Sequence, residues 1–121
     1  MSSFPTNQLF RSNSSPRPLV QQLVPTNATS LYETPSLHTA TVRTMWLCNG
    51  STNSATVSVH HVPPKASPTQ GNALLYSVAI AARSTVIVDQ PISMALGDRL
   101  YASASAASAI TLTAYGEEQV G

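Results

Sequence analysis

The stretch ATVSVHHV, at positions 55–62, decides the fold class of this chain. Up to Val59 its odd positions carry Ala or Val and its even positions carry Thr or Ser, and a period of two is typical of a half-buried β-strand. Pro63-Pro64 then ends the run, because proline has no N–H to donate to a strand ladder. Residues 55–62 are therefore predicted to form a strand with one face toward a core.

Similar short runs occur on both sides of this strand. They predict further strands at 40–48, 85–89, 91–96, 100–104 and 110–115. Residues 73–80 could form a helix by composition, but their length and their neighbours favour a strand. In the 40–48 strand, alternation assigns Trp46 and Cys48 to the same face as Ala40 and Val42, opposite Met45 and Leu47. About seven or eight short strands separated by turns are typical of a sandwich or barrel. We therefore predict an all-β fold, an antiparallel β-sandwich spanning residues 31–121.

The N-terminal segment differs in composition. Residues 1–35 contain five of the nine prolines and no glycine, which predicts an extended arm over residues 1–30. Seven apolar residues are spaced along the arm as predicted anchors on a neighbouring subunit: Phe4, Leu9, Phe10, Leu19, Val20, Leu23 and Val24. Two alternatives remain open at this point, a strand-like segment that covers its own domain and a mobile tail.

Charge is scarce throughout the sequence. Charged residues make up 9% of the chain, with a net charge of +1, against about a quarter in ordinary soluble domains. A surface of hydroxyls and amides suits close contact with other protein, because these groups cost less to desolvate than ions. The scattered basic residues disfavour nucleic-acid binding, and no segment has the roughly 20 apolar residues of a membrane helix. The N-terminus lacks the pattern of a signal peptide, and a single cysteine, Cys48, fits a reducing cytoplasm.

No pattern of catalytic or metal-binding residues is evident. His60 and His61 point to opposite faces of one strand, so they are predicted to pack or lie exposed rather than share a metal, even if His38 approaches. Cys48 is predicted to be a buried small hydrophobe at a strand end. The acidic residues form no pair suited to acid–base chemistry, and Asp98 after Gly97 is predicted to stabilise a turn. We predict no catalytic residues, no metal and no cofactor.

Two further features have alternative interpretations. The aromatic residues Trp46, Tyr76, Tyr101 and Tyr115 fall in separate strands, where they either form a sugar-stacking platform or fill a core or an interface. Residues 102–109, ASASAASA, either form a flat contact around a symmetry axis or a low-complexity loop.

Several segments together carry a family resemblance. They are LYETP at 31–35, WLCN at 46–49, ATVSVH at 55–60, NALLY at 72–76 and LGDRLYA at 96–102. Over most of residues 31–116 the chain resembles small virion proteins of tailed bacteriophages that have a jelly-roll-like domain. It departs from their pattern at Ser36-Leu37-His38, where a glycine-containing turn is expected.

The resemblance implies a structural role in a virion assembled in the host cytoplasm. The expected function is that of a non-enzymatic capsid decoration or cement protein, which bridges subunits of the major capsid protein. The expected partners are those subunits or other virion proteins, and the expected oligomer is a homotrimer, with no nucleic acid and no membrane bound. A tail, baseplate or fibre-adaptor component, or a carbohydrate- or receptor-binding tip, is the alternative.

Overall fold

The computed structural model describes residues 17–120. Within that range the chain forms nine strands and a short 3-10 helix at Gln70–Asn72. The strands are β1 Arg17–Leu23, β2 Thr29–Glu33, β3 His38–Asn49, β4 Ala55–Val62, β5 Ala73–Ile80, β6 Ser84–Val88, β7 Ile92–Met94, β8 Arg99–Ala104 and β9 Ile110–Val120. Every strand predicted from the sequence is present, and the described part of the chain contains no helix long and apolar enough to cross a membrane.

The strands form two antiparallel sheets. The first has the order β1-β9-β3-β6, with β7 also paired to β3, and the second has the order β2-β8-β4-β5. The pairing is nested along the chain: β1 pairs with β9, β2 with β8, β3 with β6 and β7, and β4 with β5. The β3·β9 and β4·β8 pairs then join these hairpin-like units within each sheet. The predicted all-β fold of antiparallel sheets is confirmed.

One hydrophobic core lies between the sheets. Its largest fully buried side chains from the first sheet include Met45, Leu47 and Leu112, and those from the second include Ile80 and Leu100. These positions follow the period-two alternation of their strands, so each sheet presents one apolar face to the other. Burial of a side chain of this size stabilises the fold by about 1.5–3 kcal/mol.

A β-bulge in β3 corrects the predicted face assignment. The pairing with β9 shifts between Val42 and Thr44, which leaves Arg43 as an extra residue. The extra residue reverses the alternation, because two residues of the bulged strand face one of its partner. Val42 is therefore buried before the bulge and Met45 after it, whereas Trp46 is exposed. The prediction that Trp46 and Cys48 share the face of Ala40 and Val42 is wrong for this reason.

The predicted boundary at residue 30 also needs correction. Residues 17–23 form β1 at one edge of the first sheet, and β2 begins at Thr29. Val20 and Val24 are buried in the molecule's own core, and the backbone N–H of Val24 donates to Ile110 O at 2.8 Å. Residues 17–30 thus belong to the sandwich, as in the alternative of a strand that covers its own domain. Residues 1–16 lie outside the described part of the chain.

A loop covers part of the outer face of the second sheet. The Arg99 guanidinium donates to Pro63 O at 3.0 Å and to Ala66 O at 2.8 Å, and its central carbon lies 5.2 Å from the centre of the Tyr101 ring. Beneath the loop, His60 and Val62 are buried. This arrangement leaves the first sheet with the more open outer face.

Candidate functional site

The candidate site is the outer face of the first sheet, where cross-strand pairing groups side chains into rows. Directly paired residues share a face of an antiparallel sheet, so the registers of β1, β9, β3 and β6 define the members. We call this surface the uncharged face, and it consists of Pro18, Gln21, Leu23, Thr44, Trp46, Cys48, Thr85, Ile87, Thr111, Thr113 and Tyr115. No member carries a formal charge at neutral pH.

The centre of the uncharged face is an aromatic pair. Trp46 pairs with Thr113 and Tyr115 pairs with Thr44, so the two rings are diagonal neighbours. Their centroids lie 5.7 Å apart with planes inclined at 54°, a tilted arrangement favoured by aromatic quadrupoles. The most exposed apolar members of the face are Ile87 at 58%, Leu23 at 50%, Trp46 at 46% and Tyr115 at 37%. Large side chains are therefore presented to solvent beside threonines and an amide.

Four charged side chains lie at one end of this face and are engaged with each other, while the Asp89 carboxylate accepts a hydrogen bond from Thr44 Oγ1 at 3.0 Å. Arg43, the bulge residue, donates from Nε to Glu117 Oε1 at 2.6 Å, and Glu117 is buried. Arg17 forms an ion pair with Glu118, which also accepts a hydrogen bond from the Tyr32 hydroxyl. The two glutamates thus join β9 to β3, β1 and β2 instead of forming an acid–base pair.

The Tyr32 hydroxyl is perturbed by this environment. Burial raises the pKa of Tyr32 above its usual range, and the hydrogen bond and negative charge of Glu118 raise it further, while Arg17 acts in the opposite direction. Because the phenol keeps its proton, it remains a donor to the Glu118 carboxylate. The contact links β2 of the second sheet to β9 of the first and holds the edge of the sandwich closed.

The histidines are held apart in separate structural contacts. His60 Nδ1 donates to Thr69 O at 2.9 Å and to Asn72 Oδ1 at 3.1 Å, which ties the loop before β5 to β4. His61 Nε2 lies 2.8 Å from Asp98 Oδ2, and the same carboxylate oxygen accepts from the Ala95 N–H at 2.9 Å. Asp98 therefore stabilises the turn as predicted. Across residues 17–120 no group of three His, Cys, Asp or Glu side chains is placed to hold a metal ion.

Cys48 departs from its predicted environment. It was expected to be a buried hydrophobe, but it is exposed on the uncharged face beside the Trp46 row. The bulge at Arg43 is the cause, since it turns every later odd position of β3 toward the core and every even one outward.

The predicted arm anchors separate into three groups. Val20 and Val24 are buried in the molecule's own core, which leaves neither free to contact another subunit, and the half-buried Leu19 packs against that core. Leu23 is exposed and belongs to the uncharged face. Phe4, Leu9 and Phe10 fall outside the described residues, and their role as anchors stays a prediction.

The residues of the ASASAASA segment lie in two different environments. Ala102 and Ala104 are buried in β8 and Ala109 is buried just before β9, while residues 105–108 form an exposed turn. The segment is therefore part core strand and part loop. It does not present a continuous flat surface.

The sequence pattern does not show that the members of the uncharged face form one surface. Individual members were visible as alternating residues, but the rows depend on which strands are neighbours. The scarcity of charge was the available signal, since a sheet face without any ion is improbable in a chain of average composition.

Comparison with known proteins adds no assignment. No protein-family model matches the chain, and no curated protein matches it.

Proposed function

We propose that this chain is a non-enzymatic structural protein of a virus particle, which attaches to neighbouring protein subunits through the uncharged face. The role proposed within the particle is that of a decoration or cement protein on the major capsid protein. The observation that carries the adhesive role is the row of exposed aromatic and aliphatic side chains around Trp46 and Tyr115, on a face without charge.

The strand order supports the viral part of the proposal. If β6 and β7 are taken as one interrupted strand on β3, residues 17–120 have eight strands whose nested pairs run from the outermost, β1·β9, to the innermost, β4·β5. Nested pairs in two four-stranded sheets support the proposal of a jelly roll, an architecture that viral capsid and lectin domains use. The sequence resemblance over residues 31–116 favours the viral role, since fold alone does not assign function.

The chemistry of the uncharged face supports attachment to protein. Trp and Tyr supply large contact areas with little conformational freedom to lose, and they dominate the binding energy of many interfaces. The surrounding Thr and Gln side chains lose water at a lower cost than ions would, so the whole face can become buried. At one end, Arg43 and Arg17 are already neutralised by Glu117 and Glu118, which limits the charge that burial would leave uncompensated.

Residues 1–16 are the second proposed element of attachment. They join β1 at Arg17, on the edge strand that contributes Pro18 and Leu23 to the uncharged face. We keep Phe4, Leu9 and Phe10 as the proposed binding residues of this segment. Burial of three such side chains contributes about 1.5–3 kcal/mol each.

A second candidate function is carbohydrate binding. The exposed Trp46 and Tyr115 rings on adjacent strands resemble the aromatic surfaces on which sugar rings stack, and lectins also use jelly rolls. The two ring planes are inclined at 54°, so they do not form one flat stacking platform, and this favours the adhesive role. Binding to immobilised glycans that is lost in Trp46→Ala would favour this candidate over the adhesive one.

The proposal is tested by locating the chain on particles. Virus particles purified by density gradient from the lysate in which the chain is made are analysed by mass spectrometry and by immunogold labelling. Labelling over the head supports a decoration protein, and labelling of the tail overturns that role. Absence of the chain from the particles overturns the virion proposal as a whole.

The role of the uncharged face is tested by rebinding. The variant Trp46→Ser/Ile87→Ser is added to particles from which the wild-type chain has been stripped, and bound protein is measured after sedimentation. Leu74→Ser/Tyr76→Ser is the matched control, because it removes two exposed side chains from β5 in the other sheet. We expect loss of binding only for the first variant, and equal binding by both variants would contradict the proposed surface.

A further inference from the structure

The strand β6 is an open and regular edge of the first sheet. It is the last strand in the order β1-β9-β3-β6, and its register with β3 is unbroken from Ser84 to Val88. The other three sheet-end strands, β1, β2 and β5, each pair with a register shift. Irregular edges hinder the addition of another strand, whereas a regular edge presents unpaired N–H and C=O groups in line.

The sequence of β6 does not protect this edge. The strand reads STVIV, with no charge and no proline, although natural proteins use both to block pairing. Among residues 17–120, no backbone hydrogen bond outside the strand pairings involves residues 84–88. Ile87 is exposed by more than half of its surface. The edge is therefore available to a further strand.

Opposite charges flank the strand symmetrically. Arg83 lies three residues before Val86, and Asp89 lies three residues after it. Both are exposed, and within the described range neither forms an ion pair. Asp89 accepts a hydrogen bond from Thr44 Oγ1 at 3.0 Å, which places its carboxylate on the same side as the uncharged face.

We propose that two copies of this chain pair antiparallel through β6, about a two-fold axis at Val86. In this register Val86 lies opposite the partner's Val86. Arg83, in the turn just before the strand, then comes next to the partner's Asp89, just after it. The symmetry repeats the ion pair on the other side of the axis, so two oppositely charged pairs close the ends of the contact. Thr85 then lies opposite the partner's Ile87, with both side chains on the outer side.

The charges select this register over its neighbours. A shift by two positions places Arg83 opposite the partner's Ile87 or the partner's Pro91, and both ion pairs are lost. A shift by one position places core-facing residues of one strand opposite outward-facing residues of the other, so the faces of the two sheets no longer match. Of these registers, the one centred on Val86 keeps the strand faces matched and also brings the Arg83 and Asp89 turns of the two copies together.

The dimer makes one continuous sheet from two copies. The order becomes β1-β9-β3-β6 followed by the same four strands of the partner in reverse, and the two uncharged faces merge into one surface. This contact does not depend on the proposed role in a virus particle. It relates the two copies by a two-fold axis, in contrast to the homotrimer expected from the sequence resemblance. A merged face doubles the number of Trp46–Tyr115 pairs presented to one partner surface.

The first experiment measures association of the full chain by sedimentation equilibrium. Wild type is expected to dimerise reversibly, and Arg83→Glu to raise the dimer dissociation constant by about tenfold or more, because two attractive pairs become repulsive. Asp89→Arg is expected to act likewise, and the double exchange Arg83→Glu/Asp89→Arg to restore dimerisation. Lys65→Glu, which makes the same charge change in the loop over the second sheet, is the control and is expected to dimerise as wild type does.

The second experiment tests the register by cross-linking with oxidised glutathione. In a Cys48→Ser background, Val86→Cys is expected to form a disulfide-linked dimer, since directly opposed Cα atoms lie about 4.5–5.5 Å apart and disulfides span about 4.4–6.8 Å. Ser84→Cys is the control, because its counterpart is displaced by four residues, about 13 Å along the strand.

Three results would overturn the proposal. The first is a wild-type chain that stays monomeric or forms a trimer in sedimentation. The second is a dimer whose dissociation constant is the same in Arg83→Glu as in Lys65→Glu. The third is cross-linking of Ser84→Cys at least as efficient as that of Val86→Cys.

Discussion

The hydrogen-only side chain of Gly116 lets β9 pass against the carbonyl group of Thr41 in β3. A Cβ at position 116 would overlap that oxygen and approach Val42 Cα to 3.0 Å. The crowding arises at the β-bulge, where Gly116 pairs with Val42 just before Arg43. The glycine is therefore required by close packing of two backbones.

We expect Gly116→Ala to destabilise the fold by about 2–4 kcal/mol, because neither backbone can move without breaking the β3·β9 pairing. The free energy of unfolding is measured by urea denaturation. Gly50→Ala is the matched control, since a Cβ there meets nothing within 4 Å. Equal stability of the two variants would contradict the close approach at Gly116.

The buried Asn49 side chain connects the β3–β4 turn to the second sheet. Its Nδ2 donates to Asn53 O and Ile80 O, both at 2.9 Å, and its Oδ1 accepts from the Ser51 N–H at 3.0 Å. Asn49→Ala leaves the Ile80 carbonyl without this donor, so we expect a loss of about 2–3 kcal/mol in unfolding free energy.

Thermal or urea unfolding measures the Asn49 effect. Asn53→Ala is the control, because Asn53 takes part through its backbone carbonyl and not through its side chain. A control variant as unstable as Asn49→Ala would show that the turn tolerates neither change and would contradict a specific role for the Asn49 amide.

Tyr32 makes stability depend on alkaline pH. Its pKa is raised in the folded chain, so the folded state keeps a proton that the unfolded state releases near pH 10. The stabilising contact is fully present below that pH, and its contribution is lost as the pH rises further. We expect the stability advantage of wild type over Tyr32→Phe to shrink between about pH 9 and 12.

Urea titrations at several pH values measure this difference. Tyr76→Phe, which removes an exposed hydroxyl, controls for the loss of one tyrosine chromophore. An advantage over Tyr32→Phe that stays constant or grows across this range would contradict the raised pKa.

Truncation separates the N-terminal segment from the sandwich. Deletion of residues 1–16 leaves all nine described strands, so we expect cooperative unfolding to be retained. Deletion of residues 1–24 also removes β1 and the buried Val20 and Val24, a loss of about 3–6 kcal/mol, which is a large part of a typical domain's stability. Circular dichroism during thermal unfolding distinguishes the two, and equal stability of both truncations would show that β1 is dispensable.

The strands were predictable because their signal is local. Residues 55–62 were predicted from alternation and a flanking proline pair, and residues 73–80 from their length and neighbours, both with the bounds that the structure has. The turn role of Asp98 was predictable for the same reason. By contrast, β1 carries a weak local pattern with Pro18 and adjacent glutamines, and its partner β9 lies at the other end of the chain.

The candidate site, like the strands, was predictable from local sequence only in part. Scarce charge predicted a surface suited to contact with protein, but Trp46 and Cys48 were placed on the wrong face of their strand. A bulge at Arg43 reverses that face, in a strand that pairs with β9 on one side and with β6 and β7 on the other. No local pattern records such a constraint.

The sequence by itself determined the all-β class, the positions of most strands and the low charge of the surface, because these follow from the side-chain period and composition. Tertiary structure alone decided that residues 17–30 belong to the sandwich, that the aromatic pair faces outward and that β6 forms an open edge. Each of these depends on which distant strands become neighbours, and that choice is made by packing around a shared core.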